Sequence, residues 1–127
     1  MSTVAGAPAS GRVVLPDEVC AAMVGASVRV TGNVAKIDAA AGTATLEQSE
    51  LVIDLSNCGT CSGVDGHHGG GGAPPVVGRT FQFIGEVVRR EVGAGVAVAA
   101  RISRDVTGID MPLYANAVRL RRARGYP

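Results

Sequence analysis

The chain has 127 residues and a formal net charge of +1, a length that fits one domain with a single core. A charge so close to zero excludes a protein held on DNA, RNA or membrane by bulk electrostatics, and two Phe, two Tyr and no Trp leave few rings for base stacking. Three cysteines, an odd number, and aliphatic stretches too short to cross a bilayer predict a reduced, intracellular protein without membrane contact.

The amino-terminal residues divide into a tail and a lead-in segment. Residues 1–12 are mostly Ala, Ser, Gly and Pro without periodicity, so we predict a disordered tail, with one domain over 13–127. A short helix is predicted over 17–24, because its first turn is acidic and Pro16 suits a helix start. On this helix Cys20 is expected to be a small buried apolar residue.

Three strands are predicted in the first half of the chain. Alternation of Val with polar residues over 27–38 is typical of a half-buried strand, and Gly32 within it predicts a bulge or a sharp coil. A turn over 38–42 leads to two further strands, at 43–48 and 50–55.

A Gly-rich segment over residues 56–79 separates the third strand from the fourth. Its composition predicts a long loop insertion. Strand periodicity returns at 80–88, where Phe81 and Phe83 share one face and are expected in the core or an interface. A fifth strand follows after a Gly turn, with one face made of Val96, Val98, Ala100 and Ile102.

These elements predict an all-β fold, a five-stranded OB-fold barrel with a short N-terminal helix and a C-terminal helix. An SH3-like barrel is the main alternative. The OB fold is favoured because the first strand is long and interrupted by Gly32, and because the longest connection follows the third strand.

The C-terminal helix is predicted to begin after Asp110 as its cap, with Pro112 in the first turn. Its apolar arc is wider than one barrel needs to cover, which indicates a protein partner. At about 100° per residue we assign one stripe to the barrel, consisting of Leu113, Ala117 and Leu120. A second stripe is assigned to the partner, consisting of Tyr114, Val118 and Arg121.

Candidate chemistry is sparse. A weak zinc candidate consists of Cys58, Cys61, His67 and His68. The spacing does not match a standard finger and the two His are adjacent, so a solvated loop without metal is the favoured reading. No triad, paired-carboxylate or phosphate-loop arrangement stands out, so we predict a non-enzyme without cofactors.

Several stretches resemble one family, the smallest OB-fold subunit (Ten) of the telomere-capping CST complex, which consists of Ctc, Stn and Ten subunits. The resemblance lies in the opening hairpin over 25–48, the fourth-strand residues 83–87, the fifth-strand residues 100–102, and above all residues 108–119. It covers about four-fifths of the chain and excludes the tail and the Gly-rich segment.

The resemblance implies a nuclear, non-enzymatic subunit at telomeric chromosome ends. It would pair helix against helix with a Stn-type OB subunit, alongside a large Ctc-type subunit. The complex would bind telomeric single-stranded DNA, protect the telomere end and recruit DNA polymerase alpha primase for C-strand fill-in. The partner contacts predicted in this chain are Ile109, Met111, Leu113, Tyr114, Ala117, Val118 and Arg121.

DNA contacts within such a complex are assigned to Arg29, Arg79 and Arg119. Four arginines crowd the C-terminal helix, where the helix dipole alone would favour them. The alternative function is an autonomous single-stranded nucleic-acid-binding OB protein, or the smallest subunit of a replication protein A-like complex. That alternative would require several rings on the barrel face and a basic groove.

Overall fold

The computed structural model describes residues 12–58, 74–90 and 95–125. Its regular elements are β1 (Arg12–Val14), β2 (Ser27–Asp38), β3 (Thr43–Leu46), β4 (Val52–Asp54), β5 (Thr80–Arg89), β6 (Val96–Asp105) and α1 (Met111–Ala123). Within these described ranges no helix is both long enough and apolar enough to span a membrane.

Five of the strands close into a barrel because β2 pairs with a different neighbour along each half. Its first half, from Ser27 to Asn33, pairs antiparallel with β5, and its second half, from Val34 to Asp38, pairs with β3. The remaining pairings run from β3 to β4, β6 and β5. This closed arrangement with a C-terminal helix confirms the predicted OB fold.

The core fills the barrel with aliphatic side chains and one aromatic pair. Inward residues of β2 alternate along the strand and are fully buried at Val28, Val30 and Val34. Phe81 and Phe83 are also fully buried, with ring centroids 6.2 Å apart. The shared strand face predicted for the two Phe is therefore confirmed, and it points into the core.

The amino-terminal segment differs from the prediction. Arg12 belongs to β1, which pairs in parallel with β2, so the prediction of a disordered tail is wrong at residue 12. The other residues of the predicted tail, 1–11, lie outside the part of the chain that the structure describes. The predicted helix over 17–24 is wrong: two 3₁₀ turns replace it, Pro16–Glu18 and Ala21–Met23. Extended backbone at Cys20 (φ −148°, ψ 174°) separates the turns, and Cys20 is exposed rather than buried.

The bulge expected at Gly32 lies further along β2. Gly32 stays in register with Phe81, and the pairing with β3 shifts between Val34 and Lys36. Gly32 instead serves close packing, because a Cβ there would lie 3.1 Å from Leu46 Cδ1. The bulge was therefore predicted at the wrong position, whereas the alternative, a strand that serves both sides of the barrel, agrees with the change of partner from β5 to β3 after Asn33.

A second register shift explains why one residue of β6, the fifth predicted strand, lies on the face opposite to the predicted one. Pairing between β5 and β6 shifts between Ile84 and Gly85, which leaves one extra residue on β6. Ile102 consequently pairs with Ile84 on the outer face, and the fully buried Ser103 takes the inward position opposite Phe83.

Candidate partner interface

Helix α1 begins as the sequence predicts. The carboxylate of Asp110 accepts a hydrogen bond from the backbone N–H of Leu113 at 3.0 Å, and Pro112 occupies the first turn. This cap satisfies one of the N–H groups that have no partner within the helix. The start of α1, and hence the direction of its side chains, is therefore fixed by a local sequence signal.

One side of α1 faces the barrel through a small polar network. The hydroxyl of Tyr114 lies 3.3 Å from Thr31 Oγ1, and Thr31 Oγ1 accepts a hydrogen bond from Gln82 Nε2 at 3.2 Å. Because Thr31 is fully buried, its hydroxyl has no access to water, and these two side chains supply its hydrogen-bond partners instead. Val118 adds the apolar contact and is the only described α1 residue that is buried.

Arg122 ties the last turn of α1 to the amino-terminal segment. Its Nη1 donates to Glu18 Oε2 at 2.9 Å and its Nη2 donates to the carbonyl oxygen of Val13 at 2.9 Å. Glu18 Oε1 also accepts from the Leu15 backbone N–H at 2.8 Å. We call Arg122, Glu18 and Val13 the terminal clamp. The sequence did not predict it, because Arg122 lies more than a hundred positions along the chain from both Glu18 and Val13.

The opposite side of α1 presents an apolar row to solvent. Leu113 is 65% exposed and Leu120 is 61% exposed, with the exposed Ala117 between them. At about 100° per residue these three side chains fall within an arc of about 60°, which points away from the barrel-facing side. We call Leu113, Ala117 and Leu120 the outer row.

The predicted division of α1 into two stripes is wrong, because the barrel covers the other one. Tyr114 bonds to Thr31 of β2 and Val118 is buried, whereas the outer row, assigned to the barrel, is exposed. The stripe of Leu113, Ala117 and Leu120 is the more apolar of the two, so hydropathy favours it for the barrel, and the structure shows the reverse. Of the predicted partner contacts, four are exposed in the structure: Ile109, Leu113, Ala117 and Arg121. Met111 and Tyr114 are half-buried.

The three arginines assigned to DNA lie in separate parts of the fold. Arg79 forms an ion pair with Asp105 at 2.9 Å, and Arg29 lies half-buried on β2. Arg119 lines a cleft of about 460 Å³ together with Asp17 and Glu47. The cleft thus carries carboxylates of its own, which disfavour phosphate there.

The carboxylate of Asp105, the partner of Arg79, has a lowered pKa. Hydrogen bonds from the side chain and the backbone of Thr107, with a further contribution from the Arg79 guanidinium, lower the pKa of Asp105 to about 2. Arg79 is consequently engaged within the chain, which reduces its availability for a ligand.

Of the four zinc candidates the structure describes only Cys58. It is 5% exposed and belongs to the hydrophobic core, contrary to its place in a predicted solvated loop. Cys61, His67 and His68 lie outside the described residues. Across the described ranges, no group of three or more His, Cys, Asp or Glu is placed to hold a metal ion.

Two solved structures from Schizosaccharomyces pombe share this architecture. The telomere-capping protein Ten1 superposes with a TM-score of 0.66 at 16% identity, over 90% of this chain and 99% of that chain. A chain of the Stn1–Ten1 complex superposes with a TM-score of 0.64 at 18% identity, over 90% and 93%. These likenesses establish the shared fold. A comparison with curated proteins finds no significant match.

The sequence itself identifies the family. Residues 7–124 match the family described as a telomere-capping subunit of the CST complex, of the Ten1 type. Members of this family are structural, non-enzymatic OB-fold subunits, in agreement with the barrel and the helix described above. The chain belongs to the telomere-capping CST complex subunit family of the Ten1 type.

Proposed function

We propose that this chain is the small subunit of a heterodimer with a Stn-type OB subunit, and that the outer row of α1 forms the centre of the interface. The observation that carries the proposal is the exposure of two leucines, each more than three-fifths accessible, on a helix whose other side is already docked. A Stn1–Ten1 complex is known from S. pombe, and a chain of it shares this fold.

The geometry of α1 supports this role over that of a simple lid on the barrel. A lid needs one apolar side, and Tyr114 and Val118 supply it. Leu113 and Leu120 are then unexplained by the chain alone, and a second helix packing across them would bury both. Ile109, 37% exposed just before α1, would extend the same surface.

The test replaces the two outer leucines together and measures pairing with the Stn-type subunit encoded in the same genome. Leu113→Ser with Leu120→Ser should weaken association by about 2 to 4 kcal/mol, since burying each leucine contributes about 1 to 2 kcal/mol. The melting temperature of the lone chain should stay nearly constant, because both side chains are mostly exposed.

A matched control is available outside α1. Val76 and Val77, in the segment that leads into β5, are 48% and 53% exposed, so replacing both with Ser removes a similar kind of exposed apolar surface outside α1. The control variant should co-elute with the partner in size-exclusion chromatography. Wild-type affinity in the outer-row variant would contradict the proposal.

We propose in addition that the chain acts within a larger assembly at telomeric chromosome ends in the nucleus. Such an assembly would include a Ctc-type subunit, bind telomeric single-stranded DNA and direct polymerase alpha primase to C-strand fill-in. Support comes from the family, which is defined by telomere capping within the CST complex. A tagged chain should co-localise with telomeres, and its depletion should lengthen the single-stranded overhang.

The alternative, an autonomous single-strand-binding protein, has less support. Phe81 and Phe83 are buried, and the Tyr114 hydroxyl is engaged with Thr31, so none of these three rings forms an exposed stacking platform. A titration of the lone chain with telomeric single-stranded DNA at physiological salt should give only weak binding. Nanomolar affinity would favour the alternative.

A further inference from the structure

The exposed end of α1 is strongly cationic. From Met111 to Pro127 the sequence contains four arginines and no acidic residue. Two of these arginines lie away from the outer row: Arg122 belongs to the terminal clamp, and Arg119 lines the cleft that contains Asp17 and Glu47. The other two, Arg121 and Arg124, are exposed, and neither forms an ion pair with any residue that the structure describes.

The position of these two arginines relates them to the outer row. At about 100° per residue Arg124 continues the line of Leu113, Ala117 and Leu120, and Arg121 lies about 40° to the side of Ala117. The exposed side of α1 is therefore apolar along its first turns and cationic at its end. The helix dipole favours cations at that end, but it does not require them beside exposed leucines.

We propose that the partner surface is acidic where it meets the last turn of α1, and that Arg121 and Arg124 pair with carboxylates there. This inference rests on the proposed heterodimer and adds the chemistry of the partner: an apolar strip bordered by Asp or Glu. Guanidinium groups suit this role because their planar donors bind a carboxylate through two hydrogen bonds. Such pairs fix the register of two helices, since a shift by one turn would leave the charges unmatched.

Phosphate of single-stranded DNA is a less suitable ligand for the same arginines. They border leucines, which a DNA backbone would leave exposed to water, whereas a protein helix covers both the leucines and the guanidinium groups. The described part of α1 also presents no fully exposed ring on which a base could stack.

The test is a double charge reversal, Arg121→Glu with Arg124→Glu, measured by calorimetric titration against the Stn-type subunit at low and high salt. We expect at least about tenfold weaker association at low salt and a shallower salt dependence than in the wild type. Arg89→Glu with Arg104→Glu is the control, since these exposed arginines on β5 and β6 give the same change in net charge. The control should bind within about twofold of the wild type.

Each result separates this inference from the heterodimer itself. If both charge-reversal variants bind like the wild type while the outer-row variant does not, the heterodimer stands and the acidic partner surface is refuted. If Arg121→Glu with Arg124→Glu pairs normally but lowers the affinity of the complex for telomeric single-stranded DNA, the arginines contact phosphate and the inference is wrong. Should that variant melt below the wild type, Arg121→Gln with Arg124→Gln replaces it, with a smaller loss of affinity expected.

Discussion

The terminal clamp should couple the two ends of the fold in a measurable way. Arg122→Met keeps most of the aliphatic stem of the side chain but removes two charge-assisted hydrogen bonds, each 2.9 Å long. Such bonds contribute about 1.5 to 3 kcal/mol each when buried. Arg122 and Glu18 are both 28% exposed, so water replaces part of what is lost, and we expect the variant to lose about 2 kcal/mol in the free energy of unfolding.

Glu18→Gln is the second arm of a double-mutant cycle. The amide oxygen still accepts from the Leu15 backbone N–H, so this change should cost about 1 kcal/mol. Combining it with Arg122→Met should cost less than the sum, with a coupling energy of about 1 kcal/mol, because each single change already removes the pair. Urea unfolding followed by circular dichroism measures all four proteins.

A control and a second readout make the result specific. Arg121→Met, on the same turn but exposed, should change stability by no more than about 0.5 kcal/mol. Amide hydrogen exchange should accelerate in β1, since Val13 loses its bond from Arg122. A coupling energy below about 0.3 kcal/mol, or unchanged exchange in β1, would refute the clamp as a link between the two segments.

Two further predictions concern the barrel. Gly85→Ala should lower the free energy of unfolding by about 3 kcal/mol or more in urea, because the added Cβ would lie 2.1 Å from the Ala99 carbonyl oxygen. Gly32→Ala should cost only about 1 kcal/mol, because its Cβ would lie 3.1 Å from the flexible end of the Leu46 side chain. Equal effects of the two variants would show that the backbone at Gly85 can shift to accept the Cβ. The pKa of Asp105 is lowered to about 2, below its unfolded value, so its stabilising contribution is present above about pH 4 and disappears as the pH falls through 2. Asp105→Asn should therefore melt below the wild type at pH 6 and close to it at pH 2, and a difference that does not change with pH would contradict this assignment.

The strands of the barrel are predictable wherever apolar and polar residues alternate over enough positions to show which face of the strand is buried. β2 matches its prediction, and β5 and β6 begin where expected, because Val and Phe recur every second residue. β1 was missed because it has only three residues, and its pairing with β2 is a non-local contact. Ile102 was assigned to the wrong face because the register shift near Gly85 depends on the partner strand.

The sequence prediction assigned to a partner the side of α1 that the structure places against the barrel. The cap at Asp110 and the double apolar character of α1 are local signals, and both were readable. The choice between the stripes depends on Thr31, whose buried hydroxyl receives Tyr114, and on the distant clamp at Arg122. Both Tyr114 and Arg122 form hydrogen bonds with residues that are distant in the chain, and a hydropathy plot contains no information on such bonds.

The division of β2 between partners has a consequence for the order of folding during synthesis. Residues 27–33 find their antiparallel neighbour only at 80–86, about fifty positions later, so the β2–β3 hairpin can form on a ribosome well before the barrel closes. Until β5 emerges, Val28 and Val30 have no opposing strand on that edge. A nascent chain stalled before Thr80 would expose an apolar strand edge and become a substrate for chaperones.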